Sequence, residues 1–183
     1  MHALILDTET TGLIKSRLIP LEKQPEIVEF FGAVYDLKSG KHVKKSKRPL
    51  EIEQLFRPTR PMTEEVIKIH GITNEAVAGA PSFKSKAAAI KKFIEEQQSV
   101  IGHNLSFDKE MIDLEMQRCG LVVAWPRLIC TVEQTVHLKG HRLNLSALHN
   151  LLFGEPFANA HRARVDVDAL ARCCTALHAS GAL

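Results

Sequence analysis

Two carboxylates, Asp7 and Glu9, stand two positions apart near the start of this 183-residue sequence. They follow a short apolar run from Ala3 to Leu6, which is typical of a buried strand. Because residues two apart on a strand point from the same face, both side chains should emerge together at the strand end. Two such carboxylates repel each other unless a cation lies between them. Taken alone, the pair is also what a solvent-exposed strand end would show.

A third carboxylate, Asp108, follows the sequence Gly102-His103-Asn104-Leu105-Ser106-Phe107. A short apolar strand ends at Gly102 and a helical pattern begins near Ser106, so Asp108 falls in the first turn of a helix. The helix dipole favours an anion at that place. In isolation, Asp108 is therefore an ordinary charge at a helix terminus.

A histidine and an acid form the last group, because Asp166 lies five positions after His161. Histidine is the side chain best suited to deprotonating water near neutral pH. Read in isolation, this segment is also compatible with a charged helix start. Asp168 is an extra acid that should face away from Asp166 on a helix, so we expect it to be a solvated surface residue.

Taken together, the four carboxylates and one histidine suit a two-metal hydrolytic site. Two divalent cations, Mg²⁺ or Mn²⁺, need oxygen ligands and sit roughly 3.5–4 Å apart in such sites. Four carboxylates would neutralise them before a phosphate arrives. Cations held in this way lower the pKa of water and stabilise a departing oxygen. The sequence lacks the cysteine and histidine spacing of a zinc site.

Hydrophobic periodicity predicts the elements that must position these residues. The expected strands, of which the first three should be antiparallel and Pro49 should mark an edge or bulge, are Ala3–Leu6, Ile27–Leu37, His42–Phe56, Ser99–Gly102 and Arg127–Cys130. The expected helices are a short one capped by Thr63 and ended by Gly71, then Ser82–Gln97, Ser106–Cys119, Asn144–Leu152 and Arg164–His178. This order implies a mixed α/β sheet layered by helices.

The composition is that of an ordinary soluble globular protein, with 45% hydrophobic and 25% charged residues. We expect one domain over residues 1–183, four reduced cysteines, no membrane span and a cytoplasmic location. The net charge of +3 permits nucleic-acid binding without requiring it. Basic residues crowd the stretch from Lys38 to Arg60, which is either a solvated face or an electrostatic guide for a phosphate backbone. The sequence gives no indication of the oligomeric state.

The motifs resemble those of the DEDDh, or DnaQ-like, exonuclease family. The resemblance rests on Asp7-Thr8-Glu9-Thr10-Thr11-Gly12-Leu13, on Gly102 to Asp108, and on His161 with Asp166. A further similar stretch runs from Met62-Thr63-Glu64-Glu65-Val66 into His70-Gly71-Ile72-Thr73. The similarity extends from Leu4 to about Leu177, nearly the whole chain. Where family members often carry an Asp-Thr pair, this chain has Cys130-Thr131, which leaves the local helix start in doubt.

The resemblance implies a ribonuclease-H-like fold, with a five-stranded mixed sheet and helices on both faces. It also implies metal ligands at Asp7, Glu9, Asp108 and Asp166 and a general base at His161. Leu13 would insert against the terminal base, and Gly12 would let backbone N–H groups approach the substrate. The implied substrate-binding residues are Thr10, Thr11, Gly12, Leu13, Glu65, His70, His103, Asn104 and Phe107.

The function that this resemblance implies is 3′→5′ hydrolysis of DNA to 5′-mononucleotides, acting on single-stranded or frayed 3′ ends. An exoribonuclease resembling ribonuclease T or oligoribonuclease is the alternative with the same chemistry. A catalytically silent nucleic-acid-binding or polymerase-accessory domain is the alternative of another class. A DNA polymerase is a possible partner. The chain ends at Leu183, without a tail like that of polymerase-bound proofreading subunits, so we expect a free-standing or phage-type enzyme.

Overall fold

Eight strands lie in the described part of the computed structural model, which comprises residues 1–16, 18–158 and 161–183. They are β1 (His2–Thr10), β2 (Ile27–Asp36), β3 (Lys41–His42), β4 (Lys44–Lys45), β5 (Arg48–Pro49), β6 (Glu51–Leu55), β7 (Ser99–Gly102) and β8 (Arg127–Cys130). The main sheet has the order β3-β2-β1-β7-β8, and β6 also pairs with β2. Pairs β1–β2, β2–β3 and β2–β6 are antiparallel, whereas β1–β7 and β7–β8 are parallel. The predicted mixed sheet is therefore confirmed.

The third predicted strand, His42–Phe56, is wrong as one continuous strand. Its two ends, β3 and β6, pair with β2, while β4 and β5 form a separate hairpin whose turn holds Ser46 and Lys47 at φ 51° and 70°. The main sheet thus has six hydrogen-bonded strands instead of five in the described residues. The hairpin sequence is charged and has no side chain to bury, so it has no reason to follow the sheet.

Seven α-helices occur within the described residues. They are α1 (Glu64–His70), α2 (Asn74–Ala78), α3 (Ala87–Glu95), α4 (Leu105–Arg118), α5 (Thr131–Lys139), α6 (Leu145–Phe153) and α7 (Ala163–Ala179). Neither α2 nor α5 was predicted, and the expected Ser82–Gln97 helix is divided into a 3₁₀ turn, Phe83–Ser85, followed by α3. Gly71 ends α1 as expected, at φ 71°. No helix among the described residues is long and apolar enough to cross a membrane.

Alternation along β1 divides the core into two layers. Leu4 and Leu6 face the layer that holds α3 and α4, whereas Ala3 and Ile5 face the layer that holds α7. Strand β2 is buried on both faces along nearly its whole length. The same alternation continues past the apolar run, so the odd-numbered residues at the end of β1 are turned toward α7.

Candidate active site

The centre of the site lies at the C-terminal end of β1. Asp7 and Glu9 continue the odd-numbered face of the strand, and Asp166 comes from the first turn of α7. Carboxylate oxygens of these three residues lie within 4.8 Å of one another. Residues separated by more than 150 positions are therefore brought to one point, as the sequence predicted.

Asp108 approaches the same point from the opposite layer. Its Oδ1 accepts hydrogen bonds from the Thr8 amide, at 2.9 Å, and the Thr8 hydroxyl, at 2.7 Å. Thr8 lies on the even-numbered face of β1, which looks toward α4. The turn that leads to α4 needs a glycine, because a Cβ on Gly102 would lie 2.8 Å from a Leu105 side-chain carbon. These contacts fix Asp108, which is 3% exposed, against β1.

The electrostatics of the cluster disfavour four ionised carboxylates. Burial and then the charge of Asp108 raise the pKa of Asp7 well above its ordinary value. Burial, followed by Asp166 and Glu29, raises the pKa of Glu9 to about 8. Burial raises the pKa of Asp108 to about 7, although its bonds from Thr8 act in the opposite direction. The pKa of Asp166 is also raised, chiefly by burial.

A fifth carboxylate, Glu29, was missed by the sequence analysis. It lies opposite Glu9 in the β1–β2 ladder, and its side chain is 2% exposed. Both of its oxygens accept from the Arg162 guanidinium, at 2.8 and 3.2 Å, and one also accepts from the Ala163 amide at 2.9 Å. The pair therefore joins β2 to the start of α7. A lone acid in the apolar run Ile27–Phe31 was the signal that could have revealed it.

His161 immediately precedes the Glu29–Arg162 contact, on the segment that enters α7. It is exposed and has a φ of 68°, in the left-handed region, so its backbone conformation is constrained. Its amide donates a 2.8 Å hydrogen bond to Asp166 Oδ2. The ring is close enough to Asp166 to lower the pKa of that carboxyl. The structure thus brings the predicted base and the predicted ligand together.

The residues predicted to meet the 3′ end continue directly from β1. The Thr10 hydroxyl donates to the Gly12 carbonyl at 2.8 Å, and the Thr11 amide donates to the Glu26 carbonyl at 2.8 Å. Gly12 has a φ of 148°, which favours glycine. Leu13 follows with 79% of its surface exposed. A large apolar side chain is therefore held out beside the carboxylates by a fixed turn.

Helix α1 places its two predicted residues differently. His70 is buried; its Nδ1 accepts from the Ile72 amide, and burial lowers its pKa against the opposing effects of Glu29 and the Thr10 carbonyl. His70 therefore belongs to the cluster region. Glu65 lies exposed in the first turn, where its own amide and the Thr63 hydroxyl lower its pKa.

The predicted residues near the start of α4 have structural partners. The ring nitrogens of His103 lie 2.9 Å from the Thr131 hydroxyl and 3.0 Å from the Leu143 carbonyl. Phe107 is half-buried and packs against the core, while Asn104 is exposed at φ 67°. His103 consequently tethers the β7–α4 turn to α5, which begins at Thr131 despite the missing Asp-Thr pair.

The cluster has the properties of a divalent-metal site. Its donors are carboxylate oxygens, the ligands preferred by Mg²⁺ and Mn²⁺, and three of them already converge. Their raised pKa values show that the folded chain holds these acids close together without enough positive charge. Cations would supply that charge. Asp7, Glu9, Asp108 and Asp166 are the residues that fit them.

The comparison with protein families matches this arrangement. The model of the RNase T family, described as exonuclease, matches residues 4–173. The chain belongs to this exonuclease family. It is a DEDDh exonuclease with the ribonuclease-H-like fold.

Similar proteins are known for this DEDDh exonuclease. The DNA polymerase III subunit epsilon of Haemophilus influenzae is 30% identical over 174 residues, which are 92% of this chain and 64% of that protein. The DNA polymerase III PolC-type of Halalkalibacterium halodurans is 28% identical over 171 residues, which are 90% of this chain and 10% of that protein. This chain therefore spans less than two thirds of these relatives.

Solved structures show the same fold. Exonuclease X in complex with 5′-overhanging duplex DNA has 26% identity and a TM-score of 0.65, with 98% of this chain and 93% of that chain covered. The nuclease domain of 3′hExo, bound to rAMP, has 16% identity and a TM-score of 0.73, with 98% and 92% covered.

Proposed function

We propose that this DEDDh exonuclease is a metal-dependent 3′→5′ exodeoxyribonuclease that releases 5′-mononucleotides. The observation that carries the proposal is the convergence of Asp7, Glu9 and Asp166 within 4.8 Å, with Asp108 beside them. Family membership supplies the nuclease chemistry. The similarity to DNA polymerase subunits and to a DNA-bound exonuclease supports DNA as the substrate.

In this proposal the four carboxylates hold two divalent cations, Mg²⁺ or Mn²⁺. When bound, these ions lower the pKa of water and stabilise the charge on the departing oxygen. His161 accepts the proton of the attacking water through its ring. Its place on an exposed segment before α7 suits a base that approaches only when substrate is bound. Glu29 and Arg162 fix the start of that segment.

The substrate residues divide by position. Thr10, Thr11 and Gly12 present the backbone beside the terminal nucleotide, and Leu13 contacts its base. His70, near Thr10, supports this surface from behind. We retain Glu65, Asn104 and Phe107 as nucleotide contacts and assign His103 to the turn that positions them, because both its ring nitrogens already have protein partners.

Matched DNA and RNA oligonucleotides, labelled at either end, test this function directly. With Mn²⁺, a 5′-labelled DNA strand should shorten one nucleotide at a time, whereas a 3′-labelled strand should release labelled mononucleotide at once. Asp7→Asn provides the inactive control. Faster degradation of RNA would transfer the proposal to an exoribonuclease. No hydrolysis of either polymer would favour a silent nucleic-acid-binding domain.

A proofreading role is a second candidate, favoured by the polymerase III relatives that match 92% and 90% of this chain. Proofreading requires that a mispaired 3′ terminus be removed faster than a paired one. Comparison of such ends on one primer–template tests it. Equal rates would exclude intrinsic preference for mismatches and leave a general DNA exonuclease.

A further inference from the structure

A cavity of about 220 Å³ borders the Leu13 loop. The loop residues Thr11–Leu13 form one wall, and the opposite lining includes the cations Lys15, Lys23 and Arg60. Consecutive Cα atoms are 3.8 Å apart, so Gly12 lies at most about 11 Å from Glu9. The cavity is therefore an immediate neighbour of the carboxylate cluster but has the opposite charge.

The charge of this cavity is largely uncompensated. Across residues 1–16, 18–158 and 161–183, Lys15, Lys23 and Arg60 form no ion pair with a carboxylate within 4.0 Å. Glu26 also lines the cavity, but its two oxygens accept from the Thr59 amide and hydroxyl, at 2.9 and 2.7 Å. Three cations thus face one carboxylate that is already bound. Such a surface favours an anionic ligand.

The loop that carries these cations is fixed in place. The Gln24 side chain, 3% exposed, accepts from the Lys15 amide at 3.0 Å and donates to the Ser16 carbonyl at 3.0 Å. Arg118 donates to the carbonyls of Leu21, Gln24 and Pro25, at 2.9–3.1 Å. A site whose groups are held before binding loses less conformational entropy when the ligand arrives.

Leu13 stands between this cavity and the place of the 3′ terminus. An apolar side chain that is 79% exposed on a fixed turn is costly unless it contacts something apolar, such as a base. Apolar side chains inserted between bases can unstack and separate them. If the 3′ strand ends at the carboxylates, its partner strand must pass Leu13 and continue beyond it.

We propose that the cavity binds the phosphates of the strand that continues past the 3′ end, so that the enzyme accepts recessed 3′ ends of duplexes with 5′ overhangs. This inference rests on the proposed exonuclease function and adds a second substrate strand to it. Leu13 separates the last base pair. Lys15, Lys23 and Arg60 neutralise the overhanging backbone, whereas a single strand leaves the cavity without a phosphate ligand.

The double variant Lys15→Gln/Lys23→Gln tests the cavity, because both side chains are exposed. Two substrates share one 3′ sequence: a single strand and a duplex with a 5′ overhang. The ratio of duplex to single-strand kcat/KM should fall about tenfold. The salt slope of duplex binding, measured with Ca²⁺ to prevent turnover, should decrease by about one to two. Lys84→Gln/Lys86→Gln, which removes two exposed charges outside the cavity, is the matched control.

An unchanged ratio with an unchanged salt slope would overturn the inference. An equal effect of the Lys84 and Lys86 control would also overturn it, because general charge would then explain the loss. If no nucleic acid is hydrolysed but the salt slope decreases only in the cavity variant, the cavity assignment stands and the proposed activity fails. Leu13→Ala should impair the duplex more than the single strand; equal losses would contradict its separating role.

Discussion

Asp166 and Asp168 lie two residues apart on α7, yet their surroundings are opposite. Asp166 joins Asp7 and Glu9 in a cluster of acids whose pKa values are raised. Asp168 is half-exposed and accepts a 2.6 Å hydrogen bond from the Tyr35 hydroxyl. Nearby, Arg164 contacts Glu51 and Glu53 at 3.0 and 2.6 Å. The first group is short of positive charge, whereas the second is answered by its own neighbours.

This contrast teaches how to separate a functional acid from a structural one. An acid with a partner adds to stability or is neutral, while an acid packed among other acids costs stability until a ligand arrives. Substitutions in the two groups should therefore have opposite signs in stability and activity. Each of the following predictions tests one side of that contrast.

The largest effect is expected for Asp7→Asn. It should reduce hydrolysis by more than about 100-fold, the upper range for loss of a residue that only supports a metal ligand. It should also raise the melting temperature of the metal-free protein at pH 8, because it removes a buried charge repelled by Asp108. Asp168→Asn is the control and should retain activity. A destabilised Asp7→Asn would contradict the electrostatic account.

His161→Ala should lose about 10²- to 10⁴-fold in rate, the usual contribution of a general base. Metal affinity should change little, because the predicted ligands are all carboxylates. Calorimetric titration with Mn²⁺, beside Asp166→Ala, measures the difference. Loss of metal comparable to that of Asp166→Ala would make His161 a ligand, and wild-type turnover would remove its role as base.

Glu29→Gln should lower turnover by roughly 10- to 100-fold, the range for residues that orient a metal ligand or base. The neutral amide cannot accept from Arg162 and the Ala163 amide together, so the segment that bears His161 loses its fixed start. The effect should lie in kcat more than in KM. Restored kcat in Glu29→Asp would indicate orientation. A change confined to KM would assign Glu29 to substrate binding.

The metal-free protein should become less stable as the pH rises from 5 to 8. Glu9 has a pKa raised from 4.5 to about 8, so in this window the folded state keeps a proton that the unfolded state releases. Its stabilising contribution is complete below the unfolded pKa and is lost through the folded pKa. Thermal unfolding in EDTA across this range measures the slope, and Glu9→Gln should flatten it. Stability that rises with pH would be inconsistent with these shifts.

Tyr35→Phe should have the smallest effect. It removes the hydroxyl that donates to half-exposed Asp168, which costs about 1 kcal/mol. For a chain of this length that corresponds to a fall of about 2–4 °C in melting temperature. Activity should stay within twofold. A larger loss of activity than of stability would connect the two groups and weaken the contrast between them.

The sequence predicted best the features set by local spacing. The two-residue step between Asp7 and Glu9 fixed their common face, and the apolar runs located β7 and β8 to the residue. The predicted acids and His161 converge as expected. Such features follow from strand and helix periodicity, which one segment alone determines.

Features that depend on distant partners escaped the sequence. Glu29 stands inside a predicted strand, but its value depends on Arg162, which is 133 positions away. Asp168 was expected to be simply solvated, and its exposure agrees, yet Tyr35 gives it a partner across the sheet. The division of the third strand depends on Val43 and Leu50 both bonding to Val34 of β2 while the charged hairpin between them projects away.

The most direct test of the account is calorimetric titration of the protein with Mn²⁺ near pH 7, in two buffers of different ionisation enthalpy. The acids with raised pKa values should give up protons as the ions bind, so the heat should depend on the buffer. We predict two ions per chain with proton release, and neither in Asp7→Asn. Absence of Mn²⁺ binding, or binding unaffected by Asp7→Asn, would contradict the assignment of this cluster as a metal-dependent active site.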